Sequence, residues 1–276
     1  MEKGVPIRVI SRAIDVLKVI NRGRAVTLSE IARACDLPYP TTCRIVQTLV
    51  CEGIVEAERD RKVYRPTALA QSLSYGFQEE NEFAASVRPH IVKLTRDIGW
   101  PAAIVTRVAD SMVIRDSTHA LTTMTFSTYY PGYALPLFES ASGKVQLAFC
   151  PEQELDLILR TRRLKTEKRA SADAAERRLR EQLEAIRRAG YATHERNRHT
   201  LDPGKTSSIS VPLWRNGELK AALTIVFFSA THTTADAAQH YLEKLLAVQA
   251  AIDHDDSAVA SAPSERVETG DELEPR

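Results

Sequence analysis

Long hydrophobic runs are missing from this 276-residue chain. No apolar stretch approaches the roughly 20 residues that a membrane-crossing helix needs, and the N-terminus lacks a signal-like apolar core. The expectation is a cytoplasmic protein with no membrane partner. Charge of one sign is missing too: the formal net charge is +1, so no chain-wide field attracts nucleic acid. Cysteine is scarce. Cys35, Cys43 and Cys51 fall at apolar helical positions, at spacings that match no common zinc site, and Cys150 stands alone. They read as buried thiols. There is no glycine-rich phosphate loop and no nucleophile elbow around Ser142, and no pattern ties His119 to that serine. His194 and His199 are five apart, not the four that places two ligands on one helical face. These absences argue against catalytic residues, metal ligands, a cofactor and an enzyme.

What is present is unevenly distributed. Residues 1–67 hold twelve Lys/Arg against eight Asp/Glu, a net of +4, whereas residues 253–276 hold two against eight, a net of −6. The basic end contains two helical patterns joined by a tight turn, TLSEIARACDLPYPTTCRIVQTLVCEG from Thr27 to Gly53. Thr27 or Ser29 can cap the first helix. Asp36 occupies the turn, where Asp tolerates left-handed geometry, and Pro40 suits the first turn of the second helix. Cys43, Val46, Leu49 and Val50 make an inward stripe on that helix. Tyr39, Thr41, Thr42, Arg44, Gln47 and Thr48 are the candidates for DNA contact, since hydroxyls, a guanidinium and an amide suit base edges and phosphates in a major groove. Upstream, Ile10, Ala13, Ile14, Leu17 and Ile20 form an amphipathic stripe that supplies a third helix. Downstream, IVEAERDRKVYRP reads as a hairpin wing, placing Arg59, Arg61 and Lys62 near the phosphate backbone, with Arg65 behind them. Duplex operator DNA is the partner this arrangement implies.

Thr67 caps a helical linker over 68–82, and a second helix follows over about 82–97. The period then changes. Strands are expected at Ala103–Val108, Ser111–Arg115, Thr122–Ser127, Ser207–Leu213 and Leu219–Ser229, the last two joined at Asn216-Gly217. Helices are expected after Ser142, from Pro151, over about Ala172–Ala189 and over about Ala235–Ile252. The arginine run of the third of these reads as a solvated face paired with its own glutamates. The fold class is therefore α+β, with a mostly antiparallel sheet carrying helices. The domains are 1–67 for DNA binding, 68–82 as linker helix, 83–252 for a second domain and 253–276 as a disordered acidic tail.

These residues resemble a family, the IclR-type bacterial transcriptional regulators, over about residues 5–252. The resemblance is carried by Arg12-Ala13-Ile14, Ile31-Ala32-Arg33-Ala34, Leu37-Pro38, Thr41-Thr42-Cys43-Arg44, Leu49 and Glu52-Gly53. In the second half it is carried by Leu135-Pro136-Leu137, Ser140-Ala141-Ser142-Gly143-Lys144, Gly190-Tyr191, Ser210-Val211-Pro212-Leu213 and Gly217. Asp36 departs from it, because the family carries glycine in that turn. The resemblance implies a winged helix-turn-helix followed by a GAF/PAS-like effector-binding domain. It also implies a homodimer or dimer of dimers that uses the first helix and the linker, and RNA polymerase as a further partner. Trp100-Pro101, Met112-Val113, Thr118-His119 and Cys150-Pro151-Glu152-Gln153 are most similar to activators of phenylpropanoid and hydroxyphenylpropionate breakdown, which implies a small aromatic carboxylate as effector.

The candidate effector residues are Arg115, His119, Phe126, Tyr129, Tyr133, Leu135, Ser142 and Ser210. Arg115 offers a planar fork for a carboxylate, the tyrosines offer flat faces with hydroxyls, and Ser142 lies at a helix start that favours an anion. Each has an alternative: Arg115 pairs with Asp110 or Asp116, the tyrosines cover a sheet edge, and Ser142 only caps its helix. The rival to the regulator reading is a small-molecule-binding hydrolase or sensor module whose N-terminus docks proteins.

Overall fold

The computed structural model describes residues 7–22, 25–58, 60–125, 129–164, 169–196 and 204–260. The chain divides into two compact units, Met1–Glu82 and Phe83–Arg276.

In the first unit, helices α1 (Arg8–Arg22), α2 (Leu28–Cys35) and α3 (Tyr39–Cys51) accompany a small antiparallel sheet. Its strands β1 (Val26–Thr27), β2 (Val55–Glu58) and β3 (Val63–Pro66) lie in the order β1-β3-β2. Of the two possible caps, Thr27 starts α2. Its hydroxyl accepts from the Glu30 N–H at 3.3 Å while the Glu30 carboxylate accepts from the Thr27 N–H at 2.8 Å. Asp36 ends α2 in the left-handed conformation, φ 51° and ψ 46°. The core is Val16, Ile20, Ile31, Ile45, Val46 and Val55.

That core corrects the expected stripes. Ile20 of the expected α1 stripe is buried and Ala13 and Leu17 pack against it, but Ile10 and Ile14 are 53% and 48% exposed and Val16, outside that stripe, faces inward. On α3 the buried residues are Thr42, Ile45 and Val46. Thr42 is fully buried and donates its hydroxyl to the Pro38 carbonyl at 3.3 Å, so it cannot reach DNA from the polar face. Val46, Leu49 and Val50 of the expected stripe do pack on the core, and Thr42 and Ile45 join them because a threonine methyl packs like an apolar group. The thiols also differ from expectation: Cys51 is exposed, Cys35 and Cys43 are half-buried, and Cys150 is buried. Burial, chiefly, pushes the Cys150 thiol up to about 11.

The segment after the wing is a 3-10 helix, Ala68–Phe77, followed by α4 (Gln78–Ile98). The junction falls near Phe77, before the expected break at Glu82. The Thr67 hydroxyl donates to the Gly53 carbonyl at 2.6 Å and accepts from the Leu69 N–H at 3.2 Å, tying the start of the segment to the end of α3.

The second unit is a six-stranded antiparallel sheet in the order β6-β5-β4-β9-β8-β7. The strands are β4 (Ala102–Val108), β5 (Ser111–Ser117), β6 (Ala134–Pro136), β7 (Ala192–Glu195), β8 (Thr206–Arg215) and β9 (Glu218–Phe228). Asn216 and Gly217, with φ of 53° and 76°, turn β8 into β9 as expected. The third strand expected at Thr122–Ser127 is not one. Thr123–Thr125 form bends, and Phe126 and Ser127 lie outside the described residues. The strand beside β5 is β6, which pairs Met112 with Leu135.

One face of the sheet packs on α4 and α8 (Thr234–Ala260) through Val87, Ile91, Trp100, Leu223, Phe227 and Leu245. The other face carries α5 (Ala141–Phe149), α6 (Glu152–Leu164) and α7 (Arg169–Ala189) over Val105, Ile114, Val145, Leu155 and Leu183. Arginines of α7 knit it to α6: Arg180 reaches Glu152 and Asp156, each at 2.6 Å, and Arg187 reaches Glu152 at 3.3 Å. Helix α8 continues to Ala260, past Ile252 where the tail was expected to begin; 261–276 lie outside the described residues. Among the described residues no helix is long and apolar enough to cross a membrane.

Two positions give tests. Gly143, in the first turn of α5, approaches Leu137 so closely that a Cβ would lie 1.9 Å from its carbonyl oxygen. Gly143→Ala should lower the stability of the second unit by roughly 2–3 kcal/mol, read as a lower urea midpoint; an unchanged midpoint would refute the close approach. His119, in the turn after β5, has a buried Nδ1 with no partner among the described residues, and burial holds it below its ordinary 6.5 against the opposing pull of Asp116. Below pH 6.5 the unfolded chain therefore binds more protons than the native one, and this contribution to stability falls as pH drops through 6.5 towards the lowered value. Wild type should gain more stability than His119→Gln between about pH 5.5 and about pH 7.5; equal gains would show that His119 is not the group responsible.

Candidate functional site

The exposed face of α3 is built by its phase. With Thr42, Ile45 and Val46 inward, Tyr39, Arg44, Gln47 and Thr48 point to solvent and Thr41 is half-buried. Arg44 has no partner among the described residues. The Thr48 hydroxyl donates back to the Arg44 carbonyl at 3.0 Å, which leaves its oxygen as an acceptor. In the wing, Arg61 lies 3.5 Å from Glu58, Lys62 sits exposed at φ 53°, and Arg65 pairs with both Glu56 and Glu58. The wing cations are thus partly neutralised locally. Arg59 lies outside the described residues.

The second unit contains a cavity on the α5 side of the sheet. Its floor is apolar: Ala103, Val105, Ile114, Leu135 and Val226. Its polar groups are Arg196, His194, Glu139, Tyr129 and hydroxyls of Ser140, Ser142, Thr206, Ser207, Ser208 and Thr224. Arg196 leaves the end of β7 held at several points. Its N–H donates to the Thr206 carbonyl at 3.2 Å and its own carbonyl accepts from the Ser229 hydroxyl at 3.0 Å. Its guanidinium donates to the Tyr129 hydroxyl at 3.2 Å, and that hydroxyl lies 2.7 Å from Thr206 Oγ1. A Cβ on Gly204 would come within 2.8 Å of the Arg196 guanidinium, so a larger residue there would displace this side chain.

The opposite wall is the N-terminus of α5. Ser140 caps it, accepting from the Gly143 N–H at 3.0 Å and donating to the Pro136 carbonyl at 2.7 Å. Ser142 is buried, with its oxygen 3.3 Å from that of Ser140. The first-turn N–H groups of a helix have no intrahelical acceptor and carry partial positive charge, so this wall also attracts an anion. Lys144 donates to the Thr193 carbonyl at 3.2 Å, fastening α5 to β7. Burial lowers its pKa, and the Glu139 carboxylate works against that shift.

Of the residues expected to hold an effector, the cavity takes in Tyr129, Leu135 and Ser142. Arg115 is not among its lining residues. Ile114 faces the cavity, and side chains alternate along a strand, so Arg115 emerges on the other side of β5. Asp116, offered as its partner, binds Arg88 instead at 2.5 and 2.6 Å. His119 lies beyond the end of β5, away from the lining. Ser210 is fully buried and is not among the lining residues, donating to the Leu223 carbonyl at 3.1 Å and lying 2.9 Å from Thr224 Oγ1. Tyr133 stacks edge-on against Tyr129 at 6.0 Å and supports it from behind. Phe126 lies outside the described residues. Arg196, His194, Glu139 and the Thr206–Ser208 hydroxyls had no motif to announce them; the only signal was that Arg196 directly follows a short strand.

Comparison with known proteins agrees with both halves. The family model for the IclR helix-turn-helix domain matches residues 9–59, and that for the bacterial transcriptional regulator IclR C-terminal matches residues 78–254. The transcriptional regulator BhcR of Paracoccus denitrificans is 28% identical over 223 residues, 79% of this chain and 77% of that one. The transcriptional repressor IclR of Escherichia coli is 25% identical over 186 residues, covering 66% and 67%. Among solved structures, the Thermotoga maritima IclR superimposes with a TM-score of 0.63 at 23% identity, over 91% of this chain and 99% of that one. An IclR homolog from Microbacterium hydrocarbonoxydans, in complex with 4-hydroxybenzoate, gives 0.62 at 22% identity over the same shares. These structures show the fold. The relatives are named regulators and repressors rather than hydrolases, which sets aside the enzyme reading. The two family models lie in order along the chain and together cover most of it, and the chain belongs to the IclR family of bacterial transcriptional regulators.

Proposed function

We propose that this regulator controls a catabolic operon through a small aromatic carboxylate bound in the cavity of the second unit. The observation that carries the reading is the Arg196–Tyr129 pair over an apolar floor. A planar guanidinium positioned by a tyrosine hydroxyl offers a carboxylate a preorganised fork. The α5 N-terminus adds favourable potential, and the flat floor of Ala103, Val105 and Ile114 suits a ring. The Microbacterium homolog holds 4-hydroxybenzoate, an acid of this kind. Arg196 therefore takes the role the sequence had offered to Arg115.

In the first unit, Arg44, Gln47, Thr48 and Tyr39 supply base and phosphate contacts, with Lys62 and Arg61 on the flanking backbone. A second copy of the chain covers the apolar side chains left open there: Ile7, Ile10 and Ile14 of α1, at 64%, 53% and 48% exposure, and Leu69 and Leu73, at 51% and 63%. That makes the working form a homodimer or a dimer of dimers. The helical segment from Ala68 to Ile98 joins the units, so it carries the coupling. An effector alters DNA affinity only by preferring one arrangement of the assembly.

Two outcomes follow. Arg44→Ala should weaken operator binding by roughly 1–3 kcal/mol in a gel-shift titration if Arg44 reads a guanine; equal retardation by a folded mutant removes Arg44 from the interface. Arg196→Gln should weaken 4-hydroxybenzoate by about tenfold or more in calorimetry, the effect expected on losing a charge-assisted pair. Equal affinity would put the carboxylate elsewhere in the cavity.

A further inference from the structure

The cavity has a second charge that an aromatic carboxylate alone does not use. Glu139 lines it, half-buried, in the connection from β6 to α5, one residue before the cap Ser140. Arg196 enters from the end of β7. Strands β6 and β7 are the two edges of the sheet, so an anion and a cation reach one cavity from opposite edge strands. They make no ion pair with each other. Among the described residues the Glu139 carboxylate accepts no hydrogen bond. Its charge acts on the Lys144 ammonium, whose own hydrogen bond goes to the Thr193 carbonyl. A carboxylate can only accept. A ligand anchored by its carboxylate at Arg196 desolvates the Glu139 carboxylate without compensation unless it presents a proton donor there.

We propose that Glu139 is a specificity-determining acceptor, selecting aromatic acids that carry a ring hydroxyl away from the carboxylate and rejecting both unsubstituted acids and diacids. The inference rests on the reading that the cavity takes an aromatic carboxylate. Physically, a hydroxyl that donates to a charged acceptor replaces its bond to water, whereas a bare ring edge strips solvent from the carboxylate and returns nothing. Sites that lose a partner for a buried polar group discriminate more strongly than sites that lose a methylene. A second carboxylate at that end adds like-charge repulsion. Glu139 thereby also orients the ligand, since the carboxylate is favoured only at the Arg196 end.

Calorimetry on the full chain tests this with benzoate, 3-hydroxybenzoate, 4-hydroxybenzoate and terephthalate as probes, against wild type, Glu139→Gln and Glu139→Leu. Wild type should bind at least one hydroxybenzoate about tenfold or more tightly than benzoate. In Glu139→Leu that ratio should collapse towards one while benzoate binding persists, and Glu139→Gln should gain terephthalate affinity by about tenfold as the charge is removed. If wild type binds benzoate and both hydroxybenzoates equally, or if the preference survives in both variants, Glu139 is not the selector and the aromatic-carboxylate reading still stands. If wild type binds none of the four acids, that reading falls and this one with it.

Discussion

The second unit depends on one close approach, that of the Gly143 backbone to the Leu137 carbonyl. No side chain fits between them, and the packing lets α5 begin directly against the strand connection that precedes it. Ser140 then spends its hydroxyl twice, on the Gly143 N–H and on the Pro136 carbonyl, so the helix start is anchored from both sides. Lys144 anchors the next turn to β7. The result is a helix N-terminus held rigidly over the sheet with its first-turn N–H groups turned to a cavity. A site assembled on rigid elements can hold a small ligand without the ordering cost of a loop closing around it.

The same logic shapes the first unit at a different place. Asp36 accepts a left-handed conformation, which costs an L-residue roughly 1–2 kcal/mol. That turn sets the angle between α2 and α3, and the capping box at Thr27 sets where α2 begins. Between them they determine which side chains of α3 reach solvent. The Thr42 hydroxyl closes on Pro38 within this turn, so a residue that looks like a DNA contact serves the geometry of those that remain.

Electrostatics distinguishes the arginines that hold structure from those that are available. Arg65 is bound to wing glutamates, Arg88 to Asp116, Arg107 to Glu154, and Arg180 and Arg187 to the acidic residues of α6. Pairs this exposed contribute little each to stability. Their effect is to remove charge from surfaces that a count of arginines would have marked as binding faces. Arg44, exposed on α3 with no ion pair among the described residues, and Arg196, whose guanidinium donates to the Tyr129 hydroxyl at the cavity wall, differ from them in their setting, not in residue type.

Local chemistry was enough for much of this chain. The helix-turn-helix, the wing hairpin, the Asn216-Gly217 turn, the antiparallel α+β character and the helix beginning at the Ser-Ala-Ser-Gly turn all rest on caps, turn residues and periodicity, which act over a few residues and so can be read along a line. The effector site was not legible in the same way. Period-two alternation put Ile114 and Arg115 on opposite faces of β5, but which face overlies a cavity and which packs on α4 and α8 depends on strand order, and strand order is a long-range property. Tyr129, Leu135 and Ser142 could be chosen because they flank a recognisable turn. Arg196 and Glu139 could not, because they are separated by 57 positions in the numbering and only the tertiary fold brings the segments after β6 and β7 to one cavity. Thr42 shows the same limit on a smaller scale: the helix was predictable from its residues, but its rotation about its own axis was decided by what α1, α2 and the wing packed against it.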